Sequence, residues 1–263
     1  MKLSISNIAW SADQDTQVYD LMKVYGFSGL EIAPTRIFPE APYDKNADAY
    51  VWSRNLKEDY GFDIPSMQSI WFGRQEKIFG TDEERQVLLN YTKRAIEFAE
   101  AIGCKNLVFG CPKNRNLPDG TERADIDLQF FKELGDYAEA HHTVIGMEAN
   151  PTIYNTNYIN DTKSAIELIK KVDSRGFMLN LDVGTMIQNQ EDAGELIGNV
   201  GLINHVHISE PFLKPIEERR LHQDLFRILI AERYSGFVSI EIGKVDDKSV
   251  IENCVRYVRG IFA

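Results

Sequence analysis

Eight short runs rich in β-branched and apolar residues, each followed by a longer segment with helical spacing, constrain this chain more than any other feature. The runs are Leu3–Trp10, Gly29–Pro34, Ile64–Phe72, Asn106–Cys111, Thr143–Asn150, Phe177–Val183, Ile203–Ser209 and Phe237–Ile242. Helical spacing falls on Thr16–Tyr25, Ala47–Tyr60, Glu83–Ile102, Ile126–His141, Thr162–Val172, Glu217–Tyr234 and Lys248–Phe262, with Asn189–Ile197, short and polar, as the weakest. Glycines at positions 26, 61, 103 and 236 sit where left-handed caps would close a helix before a strand. Strands alternating with helices run parallel through right-handed crossovers. Eight such units favour closure into a single (β/α)₈ TIM barrel over residues 1–263, a length that suits the roughly 250 residues such barrels need. An open doubly wound sheet would ordinarily show a GxGxxG turn or a P-loop, and neither is present.

Composition narrows the function classes. A net charge of −11 argues against a nucleic-acid footprint. The three cysteines, Cys104, Cys111 and Cys254, form no CxxC pair and are odd in number, which disfavours a disulfide framework. No apolar run is long enough to span a bilayer and none has a signal-peptide pattern, so a cytoplasmic enzyme without membrane partners, with or without homo-oligomerisation, is the expectation.

Barrel active sites gather at the C-terminal ends of the strands, and inward side chains recur every second residue. The last four runs each carry an ionisable residue at that end of an apolar stretch. These are Glu148 in GMEANP, Asp182 in LNLDVG, His207 in HVHISEP and Glu241 in VSIEIG. Any one of them could be an ordinary strand-end or turn residue. Three carboxylates buried together are prohibitively costly without a cation. One divalent ion held by Glu148, Asp182, His207 and Glu241 resolves that cost, and the mostly hard ligand set suits Mn²⁺, Mg²⁺ or Co²⁺, with Zn²⁺ also compatible. His205 reads as a satisfied core histidine or as a partner behind the ligands.

The same stretches resemble the sugar phosphate isomerase and epimerase superfamily of xylose-isomerase-like barrels, as do the opening SISNIAW and the segment GLEIAP. The resemblance spans essentially the whole chain. It implies one divalent metal on the four residues just named, with Glu148 and Glu241 also serving as acid and base. Ketose 3-epimerases of this family carry a substrate-binding His soon after the sixth-strand Asp, where this chain has Thr185. They also carry an Arg after the seventh-strand His, where Lys214, Arg219, Arg220 or His222 would have to substitute.

The expected chemistry is proton transfer next to a carbonyl of a small carbohydrate, through a metal-stabilised enediolate, giving isomerisation or epimerisation. Dehydration of a cyclic polyol or keto acid could use the same site. Gln68, Trp71, Lys113, Asn150, His205 and His222 are the candidate substrate contacts. Arg74, Lys113 and Arg115 could together hold a phosphate or carboxylate, though solvated loop charge is the plainer reading. Trp10, Trp71 and Phe72 would pack on a sugar face or plug the barrel. Endonuclease-IV-like barrels share the topology but use several metals and more histidines than the five here. A non-enzymatic sugar sensor would have little reason to retain a costly ligand set.

Overall fold

In the computed structural model, which describes residues 1–118 and 125–263, seven parallel strands form one sheet. They are β1 (Lys2–Ser6), β2 (Gly29–Glu31), β3 (Leu107–Phe109), β4 (Ile145–Met147), β5 (Phe177–Asp182), β6 (Ile203–Ser209) and β7 (Phe237–Glu241), in the order β2-β1-β7-β6-β5-β4-β3. The third predicted run is not a regular strand. Pro65 has no N–H to give to a ladder, and segment 63–68 touches its neighbours only through isolated bridges at Asp63 and Met67. Those bridges nevertheless close the barrel. Ile32 N donates to Ser66 O (3.1 Å) and Gln68 N to Ile32 O (2.8 Å) on one side, while Met67 N donates to Asn106 O (2.9 Å) and Val108 N to Met67 O (2.8 Å) on the other. The fold is therefore the expected TIM barrel, with segment 63–68 as its third stave.

The helices are α1 (Asp15–Val24), α2 (Pro34–Ile37), α3 (Asn46–Tyr60), α4 (Asp82–Ile102), α5 (Ile126–Ala140), α6 (Thr162–Val172), α7 (Val183–Asn189), α8 (Arg220–Ala231) and α9 (Lys248–Phe262). Thr81 and Glu84 close a capping box on α4, and Asp161 caps α6 through Ser164 N at 2.7 Å. Two expectations fail. Helix Asn189–Ile197 is absent, because α7 starts directly at Val183 with Asp182 as its cap, and only a 3₁₀ turn (Ala193–Leu196) follows. Gly26, Gly61 and Gly103 are left-handed as expected, but before β7 the left-handed residue is Arg233 (φ 61°), not Gly236.

Side chains of one parity pack outward under the helices. Ile5, Leu30, Leu107, Met147, Leu181, Val206, Ile208 and Ile240 are almost fully buried there. The other parity fills the barrel with polar groups. Asn106 Nδ2 reaches Ser66 Oγ (3.0 Å) and Asn180 Oδ1 (3.1 Å) across the interior. The helix ring sits close to the sheet where Gly176, just before β5, faces Gly135 on α5. A Cβ at Gly176 would collide with Gly135 O and come 2.6 Å from Glu139 N. Backbone cannot retreat as a side chain can, so Gly176→Ala should destabilise the fold by about 3 kcal/mol, whereas Gly201→Ala, with open space around it, should stay within about 0.5 kcal/mol. Thermal unfolding of the two variants checks this, and equal melting temperatures would refute the close packing.

Candidate metal and active site

The four predicted ligands meet at the C-terminal mouth. Glu148 follows β4, Asp182 ends β5, His207 lies in β6 and Glu241 ends β7, and one ligand atom from each lies within 4.8 Å of all the others. His207 Nδ1 is 3.1 Å from Glu148 Oε1 and 3.2 Å from Glu241 Oε2. Small side-chain shifts would bring such a spread onto an ion with ligands at about 2.0–2.6 Å. A register shift between Leu179 and Asn180 sets the level of Asp182: Leu179 pairs with Ile203, but Asn180 pairs with His205 and Asp182 with His207. Without that bulge Asp182 would lie opposite the outward-facing Val206. Gly110 leaves room on the other side, since a Cβ there would approach Glu148 Oε2 to 2.7 Å.

Each glutamate gives one oxygen to His207 and has the other held by an amide. Asn150 Nδ2 donates to Glu148 Oε2 (3.1 Å). With the amide of Gln68 oriented to suit its neighbours, its nitrogen donates to Glu241 Oε1 (2.8 Å) and Glu31 Oε1 (2.9 Å), and its oxygen accepts from Ser6 Oγ (3.3 Å). Asn180 Nδ2 donates to Glu148 Oε1 (2.9 Å), and Ser209 Oγ to Asp182 Oδ1 (3.0 Å). Arg115, fully buried, donates to Glu148 O (2.8 Å) and Asn150 Oδ1 (3.0 Å), bracing that corner from behind.

The electrostatics call for a cation. Burial, then the nearby Glu148 and Glu241, push Asp182 up to about 8, although one edge of Asp182 stays open to solvent and screens part of that cost. Burial also raises Glu241, against the pull of His207. Burial disfavours charge on His207, yet Glu31 and Glu241 outweigh it and hold its pKa well above the usual imidazole value. Without an ion, the site must therefore keep extra protons to tolerate its carboxylates. The donor set and this charge imbalance fit one divalent ion on Glu148, Asp182, His207 and Glu241.

Of the candidate substrate contacts, the structure brings Gln68, Asn150 and His205 to the cluster or just beneath it. Trp71 lies in the wall, its indole N–H given to Thr92 Oγ1 (2.8 Å) and its ring packed on Phe109 and Phe130. Lys113 is exposed on the loop after β3. His222 is buried beside Tyr257 (Nδ1 to Oη, 3.0 Å) at the start of α8. Arg74 is paired with Glu76 and Arg115 is internal, so Arg74, Lys113 and Arg115 do not form one open anion site. Thr185 gives its hydroxyl to Ala149 O (2.8 Å), and Arg219 is clamped by Glu210 at 2.6 and 2.7 Å. Trp10 gives its N–H to Asp15, and Phe72 is exposed. Sequence reasoning missed Tyr154 near the mouth, whose hydroxyl accepts from Phe212 N (2.8 Å). Asn180 was visible only as an inward-facing position.

Solved structures with the same fold include three sugar enzymes. A 3-keto-D-glucoside 4-epimerase from E. coli aligns with a TM-score of 0.76 at 20% identity, covering 99% of both chains. A D-psicose 3-epimerase from Clostridium cellulolyticum, solved with D-tagatose, aligns at 0.79 and 14% identity over 100% of this chain and 99% of its own. A sugar phosphate isomerase/epimerase from Parabacteroides distasonis aligns at 0.70 and 13% identity over 98% and 92%. At these identities the likeness concerns the fold. No curated protein matches the chain by sequence. The family described as xylose isomerase-like TIM barrel matches residues 19–257, and with nearly the whole chain inside that match, the protein belongs to the xylose isomerase-like TIM barrel family.

Proposed function

We propose that this protein is a divalent-metal-dependent isomerase or epimerase acting on a small carbohydrate by proton transfer next to a carbonyl. The observation that carries the reading is the paired placement of Glu148 and Glu241, each with one oxygen at His207 Nδ1 and the other on an amide donor. When bound, the metal supplies Lewis-acid stabilisation of negative charge on substrate oxygens. The chain supplies the rest. One glutamate takes the proton from carbon, and the other, on the far side of the cluster, returns one; Asn150 and Gln68 fix the carboxylates for that exchange. Return to the same carbon from the opposite face inverts it, and return to the neighbouring carbon moves the carbonyl.

The epimerases and isomerases that share this fold support the reaction class. Thr185 and Arg219 are both engaged within the protein, which favours a substrate other than the free ketoses of the 3-epimerases. Dehydration is the second reading, since it begins with the same proton abstraction and ends with loss of a β-hydroxyl.

Metal binding should release about one to two protons at pH 7, because Asp182 and His207 must give theirs up. Calorimetry with Mn²⁺ in buffers of different ionisation enthalpy reads this directly, and His207→Ala should lower the bound metal by a large factor. The pH sign follows from Asp182. Its pKa is raised in the folded protein, so the unfolded chain ionises first, and the contribution of Asp182 to the stability of the metal-free protein is lost as pH rises from about 4 towards 8. The gain in melting temperature on adding Mn²⁺ should therefore grow over that window. A gain that shrinks with pH would contradict the site electrostatics.

Glu148→Gln and Glu241→Gln keep size and one ligand oxygen but cannot take up the proton. For any turned-over sugar, from a panel of ketoses, 3-keto-glycosides and cyclic polyols, wild-type enzyme should exchange the substrate's α-hydrogen with deuterated water. At least one Gln variant should lose that exchange by about 100-fold or more while still binding metal. Wild-type exchange in both metal-loaded variants would remove the two glutamates as acid and base.

A further inference from the structure

Below the ligand cluster, the carboxylate of Glu31 is completely buried in the barrel. Three nitrogens lie within 3.0 Å of it. His207 Nε2 is 2.9 Å and His205 Nε2 3.0 Å from Oε2, the latter off the line of a good hydrogen bond, and Gln68 donates to Oε1 at 2.9 Å. Two of these contacts lead directly to metal ligands. His207 turns Nε2 to Glu31 and so leaves Nδ1 facing Glu148 and Glu241. Gln68 spans Glu31 and Glu241, donating to both.

We propose, resting on the metal reading above, that Glu31 is the positioning residue of the centre: it accepts a hydrogen bond from His207 Nε2–H, so that the Nδ1 lone pair would face the ion, and through Gln68 it fixes the orientation of Glu241. An imidazole that ligates through one nitrogen must carry its proton on the other, and a buried acceptor there fixes both tautomer and ring orientation. Glu31 is that acceptor, on a different strand from all four ligands. A carboxylate can accept from Gln68 and His207 together; a carboxamide cannot, because its NH₂ would face one of these donors. Either His207 or Gln68 must then turn, and a ligand is misplaced. His205 adds a second nitrogen beside Oε2 and helps offset the cost of burying the charge.

The test is Mn²⁺ affinity of the full-length protein, read as free Mn²⁺ by electron paramagnetic resonance. Glu31→Gln should bind one ion about 10- to 100-fold more weakly than wild type, and Gln68→Leu should weaken it less, because only the Glu241 arm is lost. Equal affinity in wild type and Glu31→Gln overturns the proposal while leaving the metal site standing; absence of binding in wild type defeats the metal reading itself. Two ions per wild-type chain falling to one in Glu31→Gln would make Glu31, His205 and His207 a second metal site and overturn the positioning role. Should Glu31→Gln fail to fold, ¹⁵N-histidine spectra of Zn²⁺-loaded wild type give the same answer. His207, identified by the signal lost in His207→Ala, should carry its proton on Nε2. A proton on Nδ1 with Nε2 on the metal would exclude the proposal.

Discussion

Placing Glu31, Glu148, Asp182 and Glu241 around one histidine inside a barrel is the constraint on which the rest of this structure depends. Four carboxylates at such short range repel one another, and burial removes the water that would screen them. Imidazole nitrogens, amide donors and a buried guanidinium answer part of that repulsion. Asn150, Asn180 and Gln68 donate to the carboxylates, while Arg115 binds the main chain behind Glu148. The remainder is an electrostatic gap that a divalent cation would fill. Barrel interiors are usually layered with branched apolar residues; this one is lined by Ser4, Ser6, Ser66, Asn106, Asn180 and Ser239, all essentially fully buried. The apolar core is displaced outward, between sheet and helices, and stability and chemistry occupy separate layers.

The backbone is adjusted to serve the same cluster. The bulge in β5 lifts Asp182 level with His207, and Asp182 also caps α7 by accepting from Thr185 N at 2.7 Å. A residue with both duties is held from two sides: Ser209 Oγ and a helix N-terminus each fix the same oxygen. Gly110 opens the space into which Glu148 turns. Arg115, which sequence reasoning treated as loop charge, comes back into the interior because its guanidinium has three carbonyl oxygens to satisfy, those of Glu148, Asn150 and Ile159.

Much of this was legible in the sequence, and the reasons are specific. Period-two alternation in GMEANP, LNLDVG, HVHISEP and VSIEIG marked the four residues that converge at the mouth, because an ionisable residue in an apolar run can hardly face the outer core. Helices α6 and α9 matched their predicted bounds, since Asp161 and Asp247 cap them where the apolar spacing begins. The third stave looked like a strand by composition, but Pro65 breaks its ladder, and only tertiary closure keeps it in place. Helix α7 was misplaced because its start is decided by the Asp182 cap, not by apolar spacing. The register shift and the partners of Glu31 arise between strands distant in sequence, and no local pattern encodes them. Trp71 and His222 carried polar atoms suited to a substrate, yet Thr92 takes up the indole N–H and Tyr257 meets His222 Nδ1 inside the wall.

On the proposed reading, one divalent ion sits among Glu148, Asp182, His207 and Glu241. Anomalous diffraction from crystals grown with Mn²⁺, recorded at the manganese edge, tests it most directly. A single strong peak per chain is expected at the C-terminal mouth, about 2.0–2.6 Å from one atom of each of the four side chains, with His207 bound through Nδ1. A peak confined to Glu31, His205 and His207, or no peak at a Mn²⁺ concentration that saturates binding in solution, would contradict it.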